Sequence, residues 1–400
     1  MSNIPEQFIQ KIPKTDLHLH LDGSLRLASL IEMANEANVV LPSQEEAGLN
    51  ELVFKERYAN LGEYLTGFIY TVGVLQTTEN LERTAYELAE DSYAEGVRYI
   101  EVRFAPQLHV THATEISKIV HAVSHGLEKA KVALNTDVGI NDMPFEFGII
   151  LCAMRRFNRQ MSPYYERVLN RSRGANLRYA YAKASVALVK EAIKLRDDGL
   201  PIVGFDLAGE EAGYPAIHHK AAFQHAHRNF LRTTVHAGEA YGPESIFQAI
   251  TECYANRIGH GTFLFSEEAI QLKSIKDKQH YIEQLSEYIA NQRITIEVCP
   301  TSNLQTIPEL NSLANHPIQQ MIDRGISVSI STDNRLISHT SVTNELMLCT
   351  EHLELTDSQF RDIALAGFKR SFFPGTYDEK RAYVRRAINL YDGLSKQYLD

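Results

Sequence analysis

Cysteine is scarce and badly placed for metal or cross-link chemistry: Cys152, Cys253, Cys299 and Cys349 are scattered, with no paired zinc-finger spacing among them. A disulfide framework is thereby disfavoured, and the expectation is four reduced, buried thiols. No run of about 18 apolar residues occurs, which a membrane-spanning helix would need. The opening MSNIPEQFIQKIPK also lacks the continuous apolar stretch of a signal peptide. The expectation is a soluble cytoplasmic protein with no membrane partner. Positive charge is in deficit too, with 40 Lys and Arg against 50 Asp and Glu and a formal net charge of -10. Nucleic-acid affinity rests on cations neutralising phosphates, so this balance argues for a small-molecule substrate and no nucleic-acid partner. Pro/Ser-rich linkers, internal repeats and low-complexity tracts are missing as well. A single domain over 1-400 is expected, long enough to bury a substantial core.

What is present is a rhythm. Short runs rich in Val, Ile and Phe, at 14-20, 97-104, 145-153, 201-207, 232-236, 256-260, 293-299 and 326-332, alternate with longer helical patterns. Strands alternating with helices predict a parallel α/β architecture, and eight such units predict a TIM-type (β/α)8 barrel with additional helices. The surplus length falls in helical insertions at about 28-95 and 154-200 and in a helical tail at about 341-400.

The residues with chemistry sit where these runs end, in DLHLH, VGFDLAGE, TTVHAGE, RIGHGT and SVSISTDN. Carboxyl strand ends form the rim where barrel enzymes place their active sites. In an extended strand alternate side chains share a face, so His18 and His20 point the same way and can serve one ion. His236 adds a third imidazole and Asp333 a carboxylate, a donor set suited to zinc with room for water. His236 and His260 both precede glycine-containing turns that let a ligand approach. Glu239, three residues beyond His236, either reaches a substrate beside the metal or stabilises the start of the following helix, and the two roles are compatible. His225 and His227 fall in a helical pattern, where residues two apart diverge; they, and His218 with His219, are read as solvent-facing.

Taken in order, DLHLHLDGSL, GFDLAGEE, HAGE, RIGHGT, EVCPTSN and STDN resemble the adenosine deaminase family of metal-dependent amidohydrolase barrels, over essentially 14-340. The resemblance implies one Zn2+ held by His18, His20, His236 and Asp333. It implies that Glu239 protonates purine N1, that His260 orients or deprotonates the attacking water, and that Asp333 accepts a hydrogen bond from that water. Asp22, with His20 beside it, matches the group that meets the ribose hydroxyls, the Gly209 N–H matches the donor to purine N3, and Asp206 matches a residue behind a metal ligand. The sequence departs from the family at Asn334, where many members carry a second aspartate facing purine N7. An amide N–H can donate to that acceptor at ordinary pH. The cytidine-deaminase signature, HxE with PCxxC, is absent. The implied activity is hydrolytic deamination of adenosine or 2′-deoxyadenosine, with a 5′-modified 6-aminopurine nucleoside of the aminofutalosine type as the alternative substrate and a noncatalytic nucleoside- or partner-binding barrel as the alternative role.

Overall fold

All eight apolar runs fold as strands: β1 Lys14–His20, β2 Val97–Phe104, β3 Glu146–Met154, β4 Ile202–Ala208, β5 Arg232–Ala237, β6 Arg257–His260, β7 Thr295–Val298 and β8 Ser327–Ile330. The computed structural model describes residues 4–399. Each strand pairs in parallel with the next in chain order. The circle closes where Leu19 bridges Asp333. There the His20 N–H donates to the Asp333 carbonyl and the Asp333 N–H to the His18 carbonyl, each at 2.8 Å. The strands are buried almost throughout, as expected where side chains fill the barrel and helices cover it outside.

The helical stretches contain more of the barrel than the sequence pattern suggested. Of the helices between β1 and β2, the last, Thr78–Ala94, packs on β2. Between β3 and β4, Leu177–Asp197 packs on both flanking strands. Beyond β8, Asp357–Arg370 lies against β8 and β1 and completes the outer ring. A capping box of Thr356 and Gln359 starts that helix, and Thr376 with Glu379 starts the last one, Tyr377–Tyr398. Over the rim, Phe157 stacks on Tyr165 with ring centroids 4.0 Å apart. With Leu169, Ala180, Tyr181 and Ala184 these rings form a small core separate from the main one.

The four cysteines are buried and unpaired. No helix among the described residues is long and apolar enough to cross a membrane. His225 and His227 do lie on one short helix, Lys220–Arg228. His219 departs from the sequence reading: it is buried, its Nδ1 2.7 Å from the Ser185 hydroxyl. The turn carrying it packs against Leu177–Asp197, a tertiary contact that local sequence does not encode.

Candidate metal centre and catalytic site

Period-two alternation along β1 turns His18 and His20 to the same side, where they meet His236 from β5 and Asp333 from just beyond β8. The Nε2 atom of His236 lies 3.0 Å from that of His18 and 3.2 Å from that of His20. Asp333 Oδ1 is 3.6 Å from His18 Nε2 and 3.5 Å from His20 Nε2. The donor atoms of His18, His20 and His236, and those of His18, His260 and Asp333, lie within 4.8 Å of one another. All five side chains are buried.

The Nε2 atoms of His18 and His236 stand at hydrogen-bonding distance, so their protonation decides what they can hold. His18 Nδ1 lies 2.8 Å from the Glu297 carboxylate and His236 Nδ1 3.1 Å from that of Asp206, so both Nδ1 atoms carry the hydrogen. Burial, then the Arg103 charge, holds His18 well below its ordinary pKa and therefore neutral. Its Nε2 lone pair faces His236 Nε2 across 3.0 Å; burial lowers the His236 pKa but Asp206 raises it further, so the metal-free His236 favours its protonated form. A metal ion would replace the proton between them and be ligated by both nitrogens, and imidazoles backed by carboxylates are the usual form of such ligands. The residues therefore fit a divalent metal.

The carboxylates behind the histidines are themselves tied together. Arg103, fully buried on β2, donates to Asp206 and to Glu297, each at 2.8 Å. Arg257 donates from Nε to Glu297 at 2.5 Å and also pairs with Glu101. Neighbouring cations, against the opposing effect of burial, hold Glu297 down at about 2, so it is ionised. Apart from Asp206, these residues escaped the sequence reading, although Glu297 lies in EVCPTSN. The alternation of Glu101 and Arg103 in the buried second half of β2 was the available signal.

Asp333 is fixed by the Ser302 hydroxyl, which donates to Oδ2 at 2.6 Å. Asp333 and His260 both have left-handed backbones, with φ of 62° and 66°. For residues other than glycine, such conformations cost about 1–3 kcal/mol each and persist where the surroundings impose them. Gly259, next to His260, has no room for a side chain, because a Cβ there would stand 2.8 Å from His18 Cε1. Gly259→Ala should displace the His18 ring and weaken metal binding by at least tenfold, measured by competition with a chelator; unchanged affinity would mean that the ring tolerates the shift.

Glu239 Oε1 lies 3.8 Å from His260 Nε2. Burial pushes its carboxyl up to about 8, so it keeps its proton under neutral conditions. Its loop is held by Glu211, another residue the sequence reading passed over although it ends DLAGEE. Glu211 accepts from the N–H groups of Gly238, Glu239, Ala240 and Tyr241 at 2.7–3.1 Å and from the Ser245 hydroxyl at 2.6 Å.

The remaining candidates lie around this centre. Asp22 is buried in the turn after β1, with Oδ1 unpartnered and Oδ2 3.8 Å from His109. Gly209 follows β4 at φ 91°, a left-handed conformation that favours glycine. Asn334 donates one N–H to the Tyr64 hydroxyl at 2.8 Å, and its Oδ1 has no partner among the described residues.

A parallel barrel with three histidines and a carboxylate converging at the carboxyl ends of its strands has the layout of a metal-assisted hydrolase. The model of the family described as adenosine deaminase matches residues 13–389, and the chain belongs to that family. It is an enzyme, a hydrolase of C–N bonds. Adenosine deaminase 1 of Streptomyces coelicolor is 34% identical over 394 residues, covering 98% of this chain and 90% of the relative. Adenosine deaminase of Mycobacterium sp. strain KMS is 34% identical over 388 residues, covering 95% of each. Among solved structures, an amidohydrolase from Burkholderia ambifaria with bound zinc superposes with a TM-score of 0.76 at 19% identity, covering 100% of this chain and 96% of its own. The Arabidopsis protein ADAL complexed with IMP gives 0.74 at 24% identity, covering 98% and 99%. At such identities the structures speak for the fold alone.

Proposed function

We propose that the chain hydrolyses adenosine and 2′-deoxyadenosine to inosine and 2′-deoxyinosine with release of ammonia, using one zinc ion held by His18, His20, His236 and Asp333. The observation that carries this reading is the convergence of the His18, His20 and His236 donor atoms with Asp333 beside them, the His18 and His236 rings backed by carboxylates, in a chain of the adenosine deaminase family. When bound, zinc lowers the pKa of a coordinated water towards about 7 and so supplies hydroxide under neutral conditions.

The chain's own groups do the rest. Glu239, protonated in its buried loop, gives a hydrogen to purine N1 and makes C6 electrophilic. His260 faces the oxygen that adds to C6, and Asp333 accepts a hydrogen bond from the water. Gly209 offers its N–H to purine N3, Asn334 its second N–H to N7, and Asp22 with His20 takes the ribose hydroxyls. We read the whole chain as one domain, supported by a core cluster that continues from Ile4 to Tyr391.

Steady-state rates on adenosine, 2′-deoxyadenosine, adenine, AMP and 5′-modified nucleosides test the substrate assignment. The two nucleosides should be turned over with kcat/KM at least 100-fold above the others. Preference for AMP, adenine or a 5′-extended nucleoside would overturn the assignment. Removing the metal with a chelator should abolish activity, and zinc added to about one equivalent per chain should restore it. Full activity in verified metal-free protein would rule the mechanism out.

A further inference from the structure

His260 ends β6, and its Nδ1 lies 3.0 Å from the side-chain amide nitrogen of Asn303, on the helix Pro300–Thr306. The amide oxygen of Asn303 lies 3.1 Å from His316 Nε2. The chain of bonds ends on a backbone group, because Ile318 N–H donates to His316 Nδ1 at 3.1 Å. Asn303, His316 and His260 are all buried.

A backbone N–H can only donate, so the direction of every bond in the chain follows from that end. His316 Nδ1 must hold a lone pair. Burial holds the His316 ring at a pKa of about 3, hence neutral, and its single hydrogen is on Nε2. The Asn303 atom it meets must then be the oxygen, which turns the NH2 group towards His260 Nδ1. That nitrogen accepts, and the hydrogen of a neutral His260 is left on Nε2, the atom facing Glu239. His18 is the opposite tautomer, because the Glu297 carboxylate occupies its Nδ1.

We propose that Asn303 and His316 are positioning residues that fix His260 as an Nε2–H donor. This inference rests on the deaminase reading of the site and decides between the two roles open to His260. With Nε2 protonated and Nδ1 engaged, His260 neither ligates the ion nor takes a proton from water. It donates a hydrogen bond to the oxygen that adds to C6; the proton lost by that water passes to Asp333, since Glu239 already holds its own, and then to the C6 amino group, which leaves as ammonia.

The test uses the full-length zinc protein and two readouts. In 15N-histidine spectra, with His260 assigned by difference from His260→Gln, the wild type should show hydrogen on Nε2 and a lone pair on Nδ1. A hydrogen on Nδ1 overturns the proposal. Asn303→Asp keeps the shape but presents an oxygen to Nδ1, which reverses the tautomer. Its kcat should fall by roughly 10²–10³, the usual effect of losing one donor to a developing oxyanion, with KM changed less than threefold. His316→Gln retains an N–H for the Asn303 oxygen and should stay within tenfold of wild-type kcat, whereas His316→Leu should not. Wild-type turnover in folded Asn303→Asp refutes the proposal. The tautomer is read without substrate, so a protein that carries the expected tautomer but deaminates nothing would refute the function while leaving this inference standing.

Discussion

Replacing Glu239 by Gln lowers kcat by roughly 10²–10⁴, the range for loss of a general acid, while the protein keeps its metal. The glutamine amide can still form a hydrogen bond but has no proton to transfer at any ordinary pH. Its backbone should stay in place, because the clamp on residues 238–241 comes from Glu211 and not from the Glu239 side chain. Steady-state kinetics with metal analysis on the same samples checks this. Unchanged kcat removes Glu239 from the chemistry, and loss of metal along with activity makes its role structural. The pH profile gives the sign of the same effect. Burial raises the carboxyl to about 8, so the acid form prevails below that pH and is depleted above it. Wild-type kcat/KM should therefore decline as pH rises past about 8, and the residual activity of Glu239→Gln should lack that limb.

Arg103→Met should destabilise the folded protein by about 3–5 kcal/mol, because removing one partner of a buried ion pair leaves its counter-charges uncompensated. Arg103 has two such partners, Asp206 and Glu297, and these carboxylates hold the Nδ1 atoms of His236 and His18. With the guanidinium gone, the carboxylates either take up protons or shift. Both responses disturb the histidines, so metal affinity should fall 10- to 100-fold alongside stability. Denaturant titration of the metal-free protein measures the first effect and chelator competition the second. A variant that loses stability but binds metal as tightly as the wild type would show that the charge ladder serves the fold alone.

Much of this centre could be read from the chain because its ligands end strands and β1 obeys a period of two. The positions of the eight strands follow from apolar runs bounded by chemistry-bearing turns, and β1 and β2 match to the residue. β8 stops at Ile330, sooner than the apolar run suggested, because the chain then bends into the left-handed conformation of Asp333. The partners of the ligands were not legible in the same way. Arg103, Glu297, Glu211, Asn303 and His316 acquire meaning only through tertiary contacts, which reach as far as the 279 positions between His18 and Glu297. His219 was misjudged for the same reason. A pair of neighbouring histidines does not show which of them a distant helix will cover.

The bridge between Leu19 and Asp333 joins the first strand to the segment following the last. Its flanking hydrogen bonds use the backbones of His18, His20 and Asp333, whose side chains are three of the four proposed ligands. An ion bound there is a rivet through the joint of a hoop. The far ends of the chain would be fastened together by the same object that equips them for chemistry. Stripping the metal should then accelerate amide exchange first at His20 and Asp333, so that an empty site registers as a loosened seam before the rest of the barrel gives way.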